Sequence, residues 1–151
     1  MEVRILDPRI REWGLPDYQT AGSAAIDLFA CIDAPLDIAP QAPAVLVSAG
    51  IALSFDDFSC AGLVLPRSGQ GHKRGLVLGN STGLIDPDYT GEILISTWNR
   101  NPAGSPPLTI QPGERIAQMI FVPVLRPAFA VVDSFSRATA RAAGGFGSTG
   151  A

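Results

Sequence analysis

Proline and glycine punctuate this chain so closely that no helix of ordinary length can form: thirteen prolines and sixteen glycines are spread through most of its 151 residues. Each proline locks φ and removes a backbone donor, so every candidate helix ends before the roughly ten to twelve residues that helical periodicity needs. Between the interruptions lie short β-rich runs: Val3 to Leu6, Ala24 to Ala30, Ala44 to Ser48, Ile51 to Phe55, Ala61 to Leu65, Leu76 to Leu78, Glu92 to Trp98, Leu108 to Ile110, Arg115 to Val124 and Ala130 to Phe135. Short strands with turn signals at close spacing predict an all-β fold, a sandwich, jelly roll or barrel. The run Glu92 to Trp98 carries apolar side chains on both of its faces, Ile93 and Ile95 on one and Leu94 and Trp98 on the other, which predicts a central strand covered on both faces.

A hydrophobic content of 46% supports one real core, and no linker or repeat divides the chain. The expected organisation is a β domain over 1–136 and a mobile glycine-rich tail over 137–151, where Phe146 is the one large apolar side chain. A net charge of −3 argues against stable nucleic-acid binding through clustered cations but leaves room for a nucleotide-sized anion, which needs only a few local donors. The first twenty residues hold no apolar run suited to a signal or a membrane span, so a soluble cytoplasmic protein is expected. Cys31, Cys60 and His72 cannot assemble a structural zinc set, and the two cysteines read as buried free thiols.

Five segments carry groups suited to chemistry. In Ala21 to Leu28, Asp27 interrupts an apolar strand and must find a hydrogen bond, a cation or a metal-bound water. In Leu65 to Gly75, a strand ending at Pro66 presents Arg67, Ser68 and the amide of Gly69 together, a set suited to phosphate oxygens and equally to a solvated basic turn. In Gly79 to Glu92, Gly79-Asn80 and Gly83 bracket a tight hairpin whose backbone and Asn80 amide suit the edge of a base. Asp86 then follows Leu84 and Ile85 and precedes Pro87, which predicts a carboxylate near a pocket floor, placed as a general base if water is within reach, although Asp-Pro-Asp-Tyr is also an ordinary turn. In Gln111 to Ile120, Arg115 and Gln118 stand among apolar neighbours, and an Asp27–Arg115 pair is the structural alternative to a role in chemistry. In the tail, Gly145 to Gly150 matches GxGxxG by letter alone, because no strand precedes it and no helix follows. Its glycines and hydroxyls, with Arg141 and Phe146, suit contact with an anion and stacking on a base, and equally a frayed glycine-rich terminus with no role.

Taken in order, these segments resemble the five motifs of the trimeric dUTPase family, from Ala21 to Gly150, through PRSG, GLIDPDYTGEI, ERIAQMIF and GGFGSTG. The resemblance implies a jelly-roll-like homotrimer with active sites at subunit interfaces, which hydrolyses dUTP to dUMP and pyrophosphate with Mg²⁺, limits uracil incorporation into DNA and supplies dUMP for dTMP synthesis. It implies that Asp86 activates the water that attacks the α-phosphorus. Asn80, Gly83, Leu84 and Ile85 would line the uracil site, and Tyr89 would pack under the deoxyribose. Arg67, Ser68, Gly69 and Gln118 would line the phosphates. Asp27 would hold Mg²⁺-bound water, the metal resting mainly on the triphosphate. Arg141, Phe146, Gly147, Ser148 and Thr149 would close over the nucleotide. Two positions depart from the family pattern, Ala25 and Ala142, where glycine is usual.

Two other functions share parts of this pattern. A dCTP deaminase has the PRS turn but lacks the Gly-Leu-Ile-Asp-x-Asp-Tyr hairpin, and ammonia release from dCTP identifies it. A non-catalytic nucleotide-sensing trimer is the other, and retention of Asp86 and the complete tail argues against it.

Overall fold

The computed structural model describes residues 1–139, so Arg141, Ala142, Phe146, Gly147, Ser148 and Thr149 lie outside the described residues. Ten strands follow in chain order: β1 (Glu2–Ile5), β2 (Ile26–Phe29), β3 (Leu36–Ile38), β4 (Val45–Ser54), β5 (Cys60–Pro66), β6 (Leu76–Leu78), β7 (Gly83–Ile85), β8 (Glu92–Asn99), β9 (Leu108–Ile110) and β10 (Arg115–Pro123). Helical structure among the described residues is confined to α1 (Ile10–Trp13) and one wide turn, Gln70–Arg74. Two four-stranded antiparallel sheets, ordered β1-β4-β8-β6 and β2-β10-β5-β7, form the jelly-roll-like body, and β3 and β9 pair beside them.

One apolar cluster joins the inner faces. It takes Val47, Ile51, Leu53, Ile93 and Ile95 from the first sheet, Leu28, Val64 and Met119 from the second, and Ile38 and Ile110 from the small ribbon. Each such side chain contributes about 1.5–3 kcal/mol relative to exposure. On β8 burial alternates: Ile93, Ile95, Thr97 and Asn99 point inward, while Leu94 is 43% exposed. The strand is interior to its sheet, as its composition predicts, but within this chain only one of its faces is covered. Its two buried polar side chains are satisfied: Thr97 Oγ1 donates to the Val45 carbonyl (2.7 Å) and Asn99 Nδ2 to the Ile38 carbonyl (2.9 Å).

Three further expectations are corrected. The runs on either side of Gly50 form one strand, β4, because Gly50 adopts a φ of 68° and accommodates a bulge between Ser48 and Ala52. Gly79 to Gly83 is not a hairpin of paired arms: β6 pairs with β8 in one sheet and β7 with β5 in the other, so the turn carries the chain between sheets. Ala130 to Phe135 is not a strand; it finds no ladder partner here, and Val131 and Phe135 are fully or nearly fully exposed. No helix among the described residues is long and apolar enough to cross a membrane.

Candidate active site

Cross-strand register assembles the first half of the site. Asp27 on β2 faces Gln118 on β10, which faces Leu65 on β5, so the three side chains share one face of the second sheet. Arg67, two residues past Leu65, continues that face at the end of the strand. Gln118 Nε2 donates to the Pro66 carbonyl (3.0 Å), and the Gly71 N–H donates to the Arg67 carbonyl (2.8 Å), which starts the wide turn. Around these groups lies an open cavity of about 450 Å³ lined by Ser23, Asp27, Arg67, Ser68, Gly69 and Gln118 among others. The expected phosphate-lining residues thus come together. Ser23 and Gln19, which also line it, were missed; their one sequence signal is the turn before β2, where the Ser23 N–H donates to the Thr20 carbonyl (3.1 Å).

Asp27 is the most buried charge of this cavity, with its side chain 10% exposed. Its Oδ1 pairs with Arg67 Nε (2.7 Å) and its Oδ2 with Arg115 Nη1 (3.2 Å). The pairing with Arg115 is therefore present, and both carboxylate oxygens are engaged. One carboxylate between two guanidiniums leaves the cluster cationic, which suits an anion and repels a bare metal ion. Among the described residues no group of three or more His, Cys, Asp or Glu side chains forms a metal cage. A Mg²⁺ would fit here only if a polyphosphate supplied most of its oxygen ligands.

The second half lies on the crossing turn and the segment after β7. Asn80 is exposed, and its amide nitrogen lies 3.7 Å from where a Cβ on Gly83 would stand, so the two ends of the turn approach each other. The Thr82 N–H donates to the Asn80 carbonyl (2.7 Å), and Ser81 takes a φ of 64°. Leu84 is 60% exposed on β7. Asp86 is exposed rather than sunk in a pocket floor, because Pro87, not Asp86, turns inward. Its backbone carbonyl accepts the Tyr89 N–H (3.0 Å), and it borders a small cavity with Leu84, Ile85 and Tyr89. Tyr89 is fixed from two directions: its hydroxyl donates to the Glu92 carbonyl (2.8 Å), and its ring covers Gly91, where any Cβ would meet the hydroxyl at 2.5 Å.

Asp86 stands apart from Arg67 in one chain. Ile85 pairs with Gly62, so Asp86 follows opposite Ala61, while Arg67 lies six residues further on, just past the end of β5. At ~3.3 Å per residue that separates them by about 20 Å along the ladder. The remaining candidates are quieter. His72 sits exposed on the wide turn. Cys31 and Cys60 are free and half-buried, and burial, aided by Asp7 and Glu92, pushes the Cys31 thiol up to about 12, which keeps it protonated and unreactive near neutrality. Ala25 is absent from the residues at positive φ, so the backbone there does not require the glycine usual in the motif.

Known proteins resemble this chain in sequence and in fold. The deoxyuridine 5'-triphosphate nucleotidohydrolase of Shigella flexneri serotype 5b is 54% identical over 151 residues, covering 99% of this chain and 97% of that protein. The dUTPase of Staphylococcus bacteriophage 80alpha, solved with dUPNHPP, superposes with a TM-score of 0.81 at 25% identity over 99% of this chain and 98% of that one. A mutant dUTPase of the S. aureus phage phi11, described with a structural Mg(II) ion, shares the fold at a TM-score of 0.74 and 23% identity over 90% of this chain and 98% of that one. The dUTPase family profile runs over residues 11–150, through every one of the motif segments, and the chain belongs to the dUTPase family.

Proposed function

We propose that this chain hydrolyses dUTP to dUMP and pyrophosphate in the cytoplasm, as a homotrimer with interfacial sites. Family membership over 11–150 with Asp86 retained carries the reaction. Asp86 takes a proton from water as the water oxygen attacks the α-phosphorus; the bond from that phosphorus to the bridging oxygen breaks, and pyrophosphate leaves. Arg67, Ser68, Gly69 and Gln118 hold the phosphates through charge-assisted hydrogen bonds. The turn from Asn80 to Ile85 reads uracil and rejects cytosine, whose donor and acceptor edge is reversed. Asp27, through water, would help hold a Mg²⁺ brought in with the triphosphate, and the metal would supply neutralisation of the charge that shifts toward the leaving group.

The separation of about 20 Å between Asp86 and Arg67 supports sites shared between subunits, because the α-phosphorus of one nucleotide lies only a few ångströms from its other phosphates. One chain's base and phosphate pocket then serve different nucleotides, and a closed symmetric ring completes each site. Further support comes from Leu125, Phe129, Val131 and Phe135, exposed by 90% or more, apolar surface that a single chain leaves in water. In this reading residues 1–136 form the β domain, and 137–151 close over a neighbour's nucleotide through Arg141, Phe146, Gly147, Ser148 and Thr149.

Pyrophosphate release measured with each dNTP and with UTP, with and without Mg²⁺, tests the assignment. dUTP should be the preferred substrate, and excess chelator should remove most of the rate; full activity in chelator contradicts the metal's role, and ammonia release from dCTP identifies a deaminase instead. Sugar selection depends on Tyr89. With its hydroxyl and ring both fixed, it presents a rigid floor that leaves no room for a ribose 2′-hydroxyl. Tyr89→Ala should lower dUTP turnover more than UTP turnover and so narrow the gap between them. An unchanged ratio removes Tyr89 from the sugar site.

A further inference from the structure

We infer that Arg115 is a positioning residue for triphosphate binding: by holding one oxygen of Asp27, it keeps the Arg67 guanidinium turned toward the phosphates. The inference rests on reading the Arg67 cavity as the phosphate site. Arg115 reaches Arg67 by two routes. Its Nη1 pairs with Asp27 Oδ2 (3.2 Å) while Arg67 Nε pairs with Asp27 Oδ1 (2.7 Å), and its backbone carbonyl accepts Arg67 Nη1 (3.3 Å). A bulge makes this possible, because β10 slips register against β2 between Arg115 and Ala117, and such a slip re-aims the side chain at its start.

A carboxylate beside a guanidinium favours the two-pronged fork, in which both oxygens accept from one arginine. Asp27 is nearly buried, so an oxygen left without a partner there is costly. Without Arg115, Oδ2 is open to the second prong of Arg67, whose Nε already holds Oδ1, and closing that fork draws the guanidinium back onto Asp27. With Arg115 in place, Arg67 gives Asp27 only its Nε. The neighbouring Glu114 does not compete for Arg115: it pairs with Arg74, accepts Gln70 Nε2 (2.9 Å) and accepts the Gln111 N–H (3.0 Å).

The test measures dUTP and dUMP affinity by calorimetry with Mg²⁺, in an Asp86→Asn background that prevents turnover. Arg115→Gln and Arg115→Met should each weaken dUTP about tenfold, the loss of roughly one charge-assisted contact, and leave dUMP within about twofold. Arg115→Lys should stay within about threefold of the parent for dUTP, because an ammonium still occupies Oδ2 without offering a fork. Equal weakening of dUTP and dUMP, or a lowered melting temperature with an unchanged affinity ratio in whichever variants fold, overturns the inference in favour of a structural role. If the Asp86→Asn parent binds dUMP but gains nothing from the added phosphates, the phosphate-site reading fails first and the role of Arg115 with it.

Discussion

Replacing Asp86 with asparagine should lower kcat for dUTP by ~10²–10⁴-fold, the usual cost of removing a general base. Asparagine keeps the size and planarity of the side chain but cannot take the proton that the attacking water must lose. Affinity should change little, because under the proposed function other groups hold the phosphates and the base: Arg67, Ser68, Gly69 and Gln118 at one end and the turn from Asn80 to Ile85 at the other. The fold should not respond either. Asp86 is exposed, and the interaction that fixes its segment is made by its backbone carbonyl with the Tyr89 N–H, which the substitution retains. A surface change of this kind alters stability by at most about 0.5 kcal/mol. Steady-state rates, dUTP affinity and melting temperature of the variant together decide the matter. Turnover within a few-fold of the parent would show that another group activates the water.

The strands were largely legible because alternation and turn residues are local signals. Leu76 to Leu78 and Leu108 to Ile110 are bounded as the sequence predicts, and Arg115 to Val124 differs from β10 by one residue. Partnership is not local. Nothing between Leu76 and Ile85 announces that β6 and β7 belong to different sheets, since both are three-residue strands flanking an Asn-Ser-Thr-Gly turn that equally suits a hairpin. Glu92 to Trp98 misled for a related reason: its composition carries apolar residues on both faces, but one chain has only one core to offer, and Leu94 is left in water. β3 went unread because Leu36 to Ile38 is three residues between Pro35 and Pro40, too short for a period of two to register.

The site was legible as residue types and motif order, and less so as geometry. Arg67, Ser68 and Gln118 do gather on one cavity, and Tyr89 is held rigidly next to Asp86. Residue type alone left Asp27 poised between a metal-water role and a pair with Arg115. Register and the bulge at Arg115 bring about the pair, and it is a three-body cluster that includes Arg67. That cluster also explains how a chain of net charge −3 accommodates a polyanion: two guanidiniums against one carboxylate make the cavity locally cationic while the whole chain stays acidic.

Deleting 137–151 should remove nearly all dUTP turnover while leaving a folded trimer, and a mixing experiment should then restore part of it. The segment carries Arg141 and Phe146, which contribute only where they reach a nucleotide, and few apolar groups whose loss would cost the core. β10, the last strand of the described residues, ends at Pro123, well before the deletion begins. The truncated chain supplies Asp86 without the tail, and full-length Asp86→Asn supplies the tail without the base, so each alone should be nearly inactive. If base and tail of one site come from different subunits, random reassortment of equal amounts rebuilds about a quarter of sites, each taking its base from a truncated chain and its tail from a full-length one. Activity should therefore recover to roughly that fraction of the unmodified trimer. If base and tail of a site belong to the same chain, every site in every mixed trimer lacks one of them, whatever the ratio. Mass measurement of the exchanged trimers fixes the composition, and no recovered turnover in trimers known to contain both chains would exclude sites shared in this way.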